Sequence, residues 1–462
     1  MTQTVLLPTP TLRERSARPV TRSGKLYFIR TFGCQMNEHD SERIAGLFEA
    51  DGMSPADGYE TADVVYVNTC TIRENADNRM YGNLGQLKAI KDLNPDMVLV
   101  VGGCAAQKDR DLIRRRAPWV DVVMGTHNLD RVLDLMDHAE QWGPITEVVD
   151  ELQAMPSSLP VKRELEHSAW VTIQVGCNNT CTFCIVPSVR GIEVSRRPGD
   201  IVREVQRLVA EGVVEVTLLG QNVDTYGRDL AIGGRRRPIF AELLRTVGAV
   251  DGLRRLRFTS PHPNDFREDV ALAMAETPAV CEQLHFPLQS GSDRVLAAMH
   301  RGYRRAKYLD RLGMARERVP GLAVSTDVIV GFPGETDEDF ESTMEVVEEA
   351  RFDQAFMFIF SPRPGTAAAG MVDDFVPQSV IQERFERLAA TQNRISAERN
   401  AEMVGATVEV LSEGPSRKDP GVATTRTRTG KVVHVPGEHR PGRFLDVRIG
   451  SSAQHHLVGS PV

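Results

Sequence analysis

Six of the seven cysteines in this 462-residue chain stand where soft thiolate ligands would be useful. Cys177, Cys181 and Cys184 form a C-x3-C-x2-C loop directly after a β-rich run. Thiolates at that spacing suit a cubane iron–sulfur cluster, and three ligands to four irons leave one iron open to a substrate or cofactor. Zinc is the competing metal, but it usually takes a closed set of four ligands, and no fourth Cys or His lies in the loop. Cys34, Cys70 and Cys104 look unrelated until they are placed on elements. Each then follows the C-terminal end of a predicted strand, one βα unit after the last, and parallel strands carry all three ends to one sheet edge, where open α/β sheets bind ligands. Three thiolates converging there again allow a cubane with an open iron. The competing reading is three buried cysteines packed as small apolar residues. Cys281 stands before a predicted strand, away from any motif, and reads as a structural thiol.

The elements that must position these cysteines alternate. Short β-rich runs at Lys25–Gly33, Ala62–Thr69, Met97–Gly103 and Val120–Met124 read as buried parallel strands, separated by helical stretches such as Asn37–Ala50 and Glu74–Leu93. A helix from Leu129 to Trp142 closes this open α/β sheet, and Pro144–Pro160 reads as a linker. A second series has strands at Trp170–Val175, Val214–Leu219, Leu256–Thr259, Gln283–Pro287, Ala323–Val330 and Ala355–Phe360. Six βα repeats without a clear seventh predict a partial (β/α)6 barrel. After a charged helix from Gln378, the strand-like runs Thr407–Leu411, Lys431–Val435 and Leu445–Ile449 predict a small β-barrel. The expected division is a disordered tail over 1–24, a first domain over 25–143, a linker over 144–165, the six-repeat domain over 166–402 and the β-barrel over 403–462.

Hydrophobic residues at 41% and charged residues at 26% have the balance of a soluble globular protein. No apolar run approaches the ~20 residues of a membrane helix, and Val5-Leu6-Leu7 is too short for a signal peptide's apolar core. A cytoplasmic location is expected, where regularly spaced cysteines point to metal or catalysis rather than disulfides. The formal net charge of −8 argues against a generic polyanion binder. Val404–Gly450 is nevertheless basic, with Arg426, Arg428 and Lys431 as candidate phosphate contacts beside Arg235, Arg236 and Arg237 of the preceding domain.

Ligands of a barrel gather at the strand C-terminal ends. Gly220-Gln221-Asn222, Ser260-Pro261-His262, Gln289-Ser290-Gly291 and Ser361-Pro362 stand there, and Gly331-Phe332-Pro333-Gly334-Glu335 forms a further loop. With C-x3-C-x2-C after the first strand, the region resembles the radical S-adenosylmethionine (SAM) superfamily. That resemblance implies SAM on the open iron, contacts from Gln221, Asn222, Gln289 and Ser290, and Gly331–Glu335 as the adenine-side loop.

Further stretches carry the resemblance through nearly the whole chain after the tail: Thr31 to Asn37, Asn68 to Glu74, Gly102 to Gln107, Cys177 to Gly191, Leu219 to Val223, Thr259 to Pro263, and Arg351 to Phe356. Together they are similar to the radical SAM methylthiotransferases, and the terminal β-barrel resembles the RNA-binding TRAM module. The family resemblance implies two 4Fe-4S clusters, on Cys34/Cys70/Cys104 and on Cys177/Cys181/Cys184, and two uses of SAM, one to methylate a sulfur and one to make a radical. Thr259–Pro263 and Phe352–Phe356 are most similar to the branch acting on tRNA with isopentenyladenosine in the anticodon loop. The other branches act on threonylcarbamoyladenosine tRNA or on a ribosomal-protein aspartate. A rival from another class is a metal-stabilised RNA-binding protein without catalysis. An electron donor such as flavodoxin or ferredoxin is implied, and no membrane. A radical needs no acidic C–H, so no catalytic acid or base is assigned; His262 and His285 are read as proton shuttles or packed strand histidines.

Overall fold

Val64–Thr69 and Val98–Gly103 are buried at every position. Continuous burial marks strands covered on both faces, and these two form the centre of a six-stranded sheet. Its order across the sheet is Ser54–Pro55, Leu26–Thr31, Val64–Thr69, Val98–Gly103, Val122–Met124, Ile145–Glu147, and every pairing is parallel. Period-two alternation sends Val64, Tyr66, Val98 and Val100 to one face, against Ile44 and Phe48 of the helix Gln35–Ala50. Val65, Val67, Leu99 and Val101 face the other way, onto Leu84 and Leu87 of the helix Glu74–Leu93.

This computed structural model describes residues 20–71, 74–150, 159–231 and 234–462. The chain divides into two units. The first holds the sheet and takes residues up to Glu164 together with Val175–Asn178 and Cys184–Val194; the second takes Leu165–Gln174, Asn179–Phe183 and Ser195–Val462. Most of the expected tail, the middle of the expected linker, and Ile72 and Arg73 of one motif lie outside the described residues.

Two expectations at the edges of the sheet need correction. Arg22, expected in the tail, is buried and pairs with Asp51 at 3.0 Å and Asp137 at 2.7 Å. Ile145–Glu147, expected in the linker, is the edge strand beside Val122–Met124. Three residues are too short to show a period, so only the pairing reveals that strand.

In the second unit, Ser168–Thr172, Glu215–Leu219 and Arg255–Phe258 form one parallel sheet, and Gln283–His285, Ala323–Val330 and Gln354–Ile359 another. A bridge between Leu256 and Val280, with the Leu256 amide donating to the Ala279 carbonyl at 2.7 Å, leads from one to the other. Six parallel strands thus follow in chain order, as the partial barrel requires. The C-terminal segment closes a five-stranded barrel. Two of its strands, Val422–Thr427 and Leu457–Pro461, escaped the sequence reading. The buried positions of the former are Ala423, Thr425 and Thr427, and the Thr425 hydroxyl is satisfied by the Val433 carbonyl at 2.9 Å. Threonine hydroxyls in the core hide the apolar alternation.

Candidate functional site

The strand register brings three ends level: Thr31 lies opposite Asn68, Asn68 opposite Gly102, and Thr69 opposite Gly103. Cys34 caps the helix Gln35–Ala50, Cys70 directly follows its strand, and Cys104 opens the helix Cys104–Asp109. Cys70 and Cys104 are buried and Cys34 is half-buried. Gly33 has φ +128°, and a Cβ there would stand 2.8 Å from Cβ of Cys70 and 3.1 Å from its Sγ. Only glycine tolerates both the conformation and the approach, which sets the residue before Cys34 against Cys70. Asn37 joins two strand ends, donating through Nδ2 to the Phe32 and Thr69 carbonyls at 2.9 and 2.8 Å. The Thr69 hydroxyl donates to Gly102 O at 2.5 Å and accepts from the Ala105 and Ala106 amides, which fixes the turn at Cys104.

A buried cation completes this site. Arg190 pairs with Asp40 at 2.8 Å and donates to Asn37 Oδ1 at 2.8 Å, and all three are buried. Burial works against the charge on Arg190, but Asp40 and the thiols of Cys104 and Cys34 outweigh it and hold the guanidinium protonated. Burial pushes the Cys104 thiol up, with Arg190 pulling the other way. Arg190 closes the segment that follows Cys184, and Ile185 and Val189 of that segment pack on Cys104. The Thr126 hydroxyl anchors it at the Val189 carbonyl, 2.7 Å away. The second cysteine set is therefore covalently continuous with a strap lying on the first.

The C-x3-C-x2-C loop is held from both sides of Asn178. In the first unit, Gly176 has φ +82°, and a Cβ there would meet the Ile192 carbonyl oxygen at 2.0 Å. The Cys177 amide donates to Gly191 O at 3.1 Å, and Asn178 exchanges hydrogen bonds with Glu193. In the second unit, Thr182 donates through its amide to Met299 O at 3.1 Å and through its hydroxyl to Ala298 O at 2.9 Å. These bonds set Cys181 beside Arg301, whose Nη1 donates to Cys181 Sγ at 3.3 Å. Arg301 Nε donates to the Tyr303 hydroxyl at 3.2 Å, and that hydroxyl faces the Pro287 and Leu288 carbonyls at 2.9 Å each. Among the described residues, no three His, Cys, Asp or Glu side chains gather closely enough to hold a single metal ion. The donor chemistry, two sets of three thiols with a buried cation at each, suits thiolate-ligated clusters. The sequence reading gave neither arginine a role.

The expected SAM contacts occupy the strand ends of the second unit. Asn222 is fully buried, donates to Asp265 at 2.8 Å, and leaves its Oδ1 without a partner. Gln174 Oε1, Asp224 Oδ1 and His262 Nε2 are buried and equally unpartnered. Orphaned polar atoms at successive strand ends form a cradle for a polar ligand. Gln221 is half-buried beside them. Gln289 takes φ +68° and bonds through its backbone to Asp327 and Ile329. Ser290 is fully buried, and its hydroxyl bonds Thr343 at 3.3 Å and accepts from the Ser292 amide. Glu335 accepts from the Gly331 amide at 3.1 Å and from Arg384 at 2.8 Å, fixing the shape of that loop.

Burial, then Arg301 and Lys307, push His262 down to about 2, so its ring is neutral at working pH, and its Nδ1 accepts from the Asn264 amide at 3.2 Å. His285 bonds Ser325 at 3.0 Å and Asp327 at 3.3 Å. Both rings pack edge-on against aromatics, Tyr303 and Phe356 respectively.

The three basic residues of the C-terminal barrel offered for phosphate contact are engaged within the chain. Arg428 forks onto Glu282 and donates to the Pro278 and Val280 carbonyls. Lys431 pairs with Asp353 at 2.8 Å, and Arg426 with Glu413 at 2.6 Å. In return, the fully buried Arg255 donates to the Arg426 carbonyl at 2.8 Å and pairs with Glu409. Arg428 and Lys431 thus seat the barrel against the six-strand domain, while the Arg426 charge is met within the barrel. Arg417, Lys418, Arg440, Arg443 and Arg448 stay exposed, as do Arg235 and Arg236.

Residues 26–125 match the Uncharacterized protein family UPF0004, residues 171–347 the Radical SAM superfamily, and residues 401–462 the TRAM domain. A tRNA-2-methylthio-N(6)-dimethylallyladenosine synthase of Thermobifida fusca (strain YX) is 55% identical over 442 residues, covering 94% of this chain and 88% of that protein. Its namesake in Mycolicibacterium smegmatis is 53% identical over 459 residues, covering 97% and 90%. Among solved structures, the radical S-adenosylmethionine methyltransferase TsrM of Kitasatospora setae shares 15% identity at a TM-score of 0.55, covering 84% of this chain and 79% of that one, a likeness of fold alone. Among the described residues no helix is long and apolar enough to cross a membrane. Identity above half along most of both proteins means that this chain belongs to the radical SAM methylthiotransferase family.

Proposed function

We propose that this enzyme places a methylthio group on C2 of N6-isopentenyladenosine beside the anticodon of tRNA, giving 2-methylthio-N6-isopentenyladenosine. The observation that carries the reading is the packing of Ile185, which follows the C-x3-C-x2-C loop, onto Cys104, and the pairing of Arg190 with Asp40 beside the cysteines at level strand ends. A radical enzyme that must also deliver sulfur needs two such sites close along one strap. Relatives that carry the tRNA-2-methylthio-N(6)-dimethylallyladenosine synthase name match over 94% of this chain, which supports the same reading.

In this reading Cys34, Cys70 and Cys104 hold one 4Fe-4S cluster and Cys177, Cys181 and Cys184 the other. When bound, the clusters and SAM supply sulfur and a radical able to attack a non-acidic C–H bond. The protein's own residues bind and exclude water. Asn222 and Gln221, with the orphaned atoms of Gln174, Asp224 and His262, present polar groups to SAM at the strand ends. Gln289 and Ser290 shape the opposite loop, Ser290 through its backbone because its hydroxyl is engaged by Thr343. A neutral His262 whose Nδ1 accepts from Asn264 offers the Nε2 N–H, not a cationic acid. Division of labour follows the domains: 25–143 for sulfur delivery, 166–402 for the radical and 403–462 for RNA, reached through Arg417, Lys418, Arg440, Arg443 and Arg448 rather than the residues that seat the barrel. The target base leaves its stack to reach the site. The enzyme works in the cytoplasm with a flavodoxin- or ferredoxin-type electron donor.

Nucleoside analysis of tRNA from cells lacking the protein is the test. Isopentenyladenosine should accumulate with loss of its 2-methylthio derivative, restored by the intact gene. An unchanged methylthio signal would sink the reading.

A further inference from the structure

Arg301 is buried, 7% exposed, and is aimed at a cysteine rather than at a carboxylate. Its Nη1 donates to Cys181 Sγ at 3.3 Å, and its Nε is fixed by Tyr303 at 3.2 Å. Among the described residues no Asp or Glu lies within 4.0 Å of it, whereas Arg190 at the other cysteine set is answered by Asp40 at 2.8 Å. Burying an unanswered guanidinium is costly. A sequence that retains one has a compensating anion nearby, and the anions available are the thiolates.

We propose that Arg301 is a positioning residue that raises the reduction potential of the cluster held by Cys177, Cys181 and Cys184, through a charge that no carboxylate answers among the described residues and through its hydrogen bond to Cys181 Sγ. The inference rests on reading Cys181 as a cluster ligand. Its physics is general: hydrogen bonds to ligand sulfurs and nearby positive charge stabilise the more negative, reduced state, most strongly where the dielectric is low. The step concerned is a one-electron transfer. An external one-electron donor is oxidised, the cluster is reduced, no bond is made or broken, and the guanidinium keeps its proton throughout. Arg190 also bears on Cys104 at the first site, but it has a carboxylate partner, Asp40 at 2.8 Å, to share its charge.

The seating of Arg301 is specific. The helix Asp293–Ala298 ends against Thr182, His300 takes φ +55°, and the turn delivers Arg301 to Cys181. Phe183 packs with Val295 and Met299 on the same element, so cysteine and arginine are set by one piece of structure.

The test uses the full-length protein carrying Cys34→Ala, Cys70→Ala and Cys104→Ala, so that only the second cysteine set can hold a cluster, reconstituted anaerobically. Iron and sulfide are counted, and the cluster is titrated with dithionite while its EPR signal is followed. Adding Arg301→Gln is expected to leave iron and sulfide unchanged and to disfavour reduction at least tenfold, a shift of about 59 mV to more negative potential for a one-electron couple. Should Arg301→Gln lose the cluster, Arg301→Lys decides: moving the charge to a single-point donor should shift the potential the same way by less. A full cluster complement with an unmoved potential overturns the proposal, since a merely structural arginine would behave so. A parent protein that binds no iron and sulfide overturns the cluster reading itself, an outcome distinguishable from the first.

Discussion

The two cysteine sets have the same donors and opposite constructions. Cys177, Cys181 and Cys184 sit within one loop. Cys34, Cys70 and Cys104 are spread over two βα units and share one sheet edge only because Thr31, Asn68 and Gly102 are level in a parallel sheet. Their cations differ as well. Arg190 is paired with Asp40, while Arg301 turns its charge on Cys181. On our proposal this difference bears on reduction: a guanidinium that no carboxylate answers favours the electron more than one paired with a carboxylate.

The sharpest way to break this comparison is to remove one site at a time. Cys177→Ala should abolish both reductive SAM cleavage and methylthio transfer. Cys34→Ala should abolish transfer alone, with 5′-deoxyadenosine still formed; chromatography of the products separates the two, and equal losses of cleavage would erase the assignment of tasks. Next in size is Asp40→Asn, which leaves Arg190 buried without its counter-ion. Breaking a buried pair from one side costs roughly 3–5 kcal/mol, read as a lower urea midpoint of the full chain, and a midpoint within error of the parent would show the pair to be dispensable.

The two glycines sharpen the contrast in construction. Alanine at either position meets a left-handed backbone, a strain of roughly 1–3 kcal/mol. Gly176→Ala also drives a Cβ to 2.0 Å from a backbone carbonyl, whereas Gly33→Ala meets the Cys70 side chain at 2.8 Å. Gly176→Ala should therefore be the more destabilising, and Gly33→Ala should lose iron from the first site ahead of global stability; the reverse order in denaturation and iron analysis would contradict the geometry. The smallest effect is electrostatic. Burial is the main cause of the depressed His262, with Arg301 second. In Arg301→Gln its titration, followed by NMR, should move upward yet stay below the ordinary histidine range.

Much of this architecture was legible in the chain. Buried strands such as Val98–Gly103 announce themselves as apolar runs, and the β-strand-then-cysteine spacing gave the first site its common edge. The strands that were missed share a physical cause. Ile145–Glu147 is too short to display a period, and Val422–Thr427 buries threonines where a pattern would show aliphatics. Arg426, Arg428 and Lys431 illustrate another limit. A basic run declares its sign but not its partner, and Glu413, Glu282 and Asp353 claim these charges only in the folded chain.

By itself, the sequence determined the C-x3-C-x2-C loop, the βα alternation and the family, because each is written in local spacing that no packing can alter. Tertiary structure alone decided which arginine stands at which cysteine, that Asp40 answers one of them, and that Tyr303 holds the other against Cys181. Those choices depend on residues more than a hundred positions apart in sequence, Cys181 with Arg301 and Asn37 with Arg190. Such pairs carry no spacing signal, since only the free energy of burying charge in a folded core selects them.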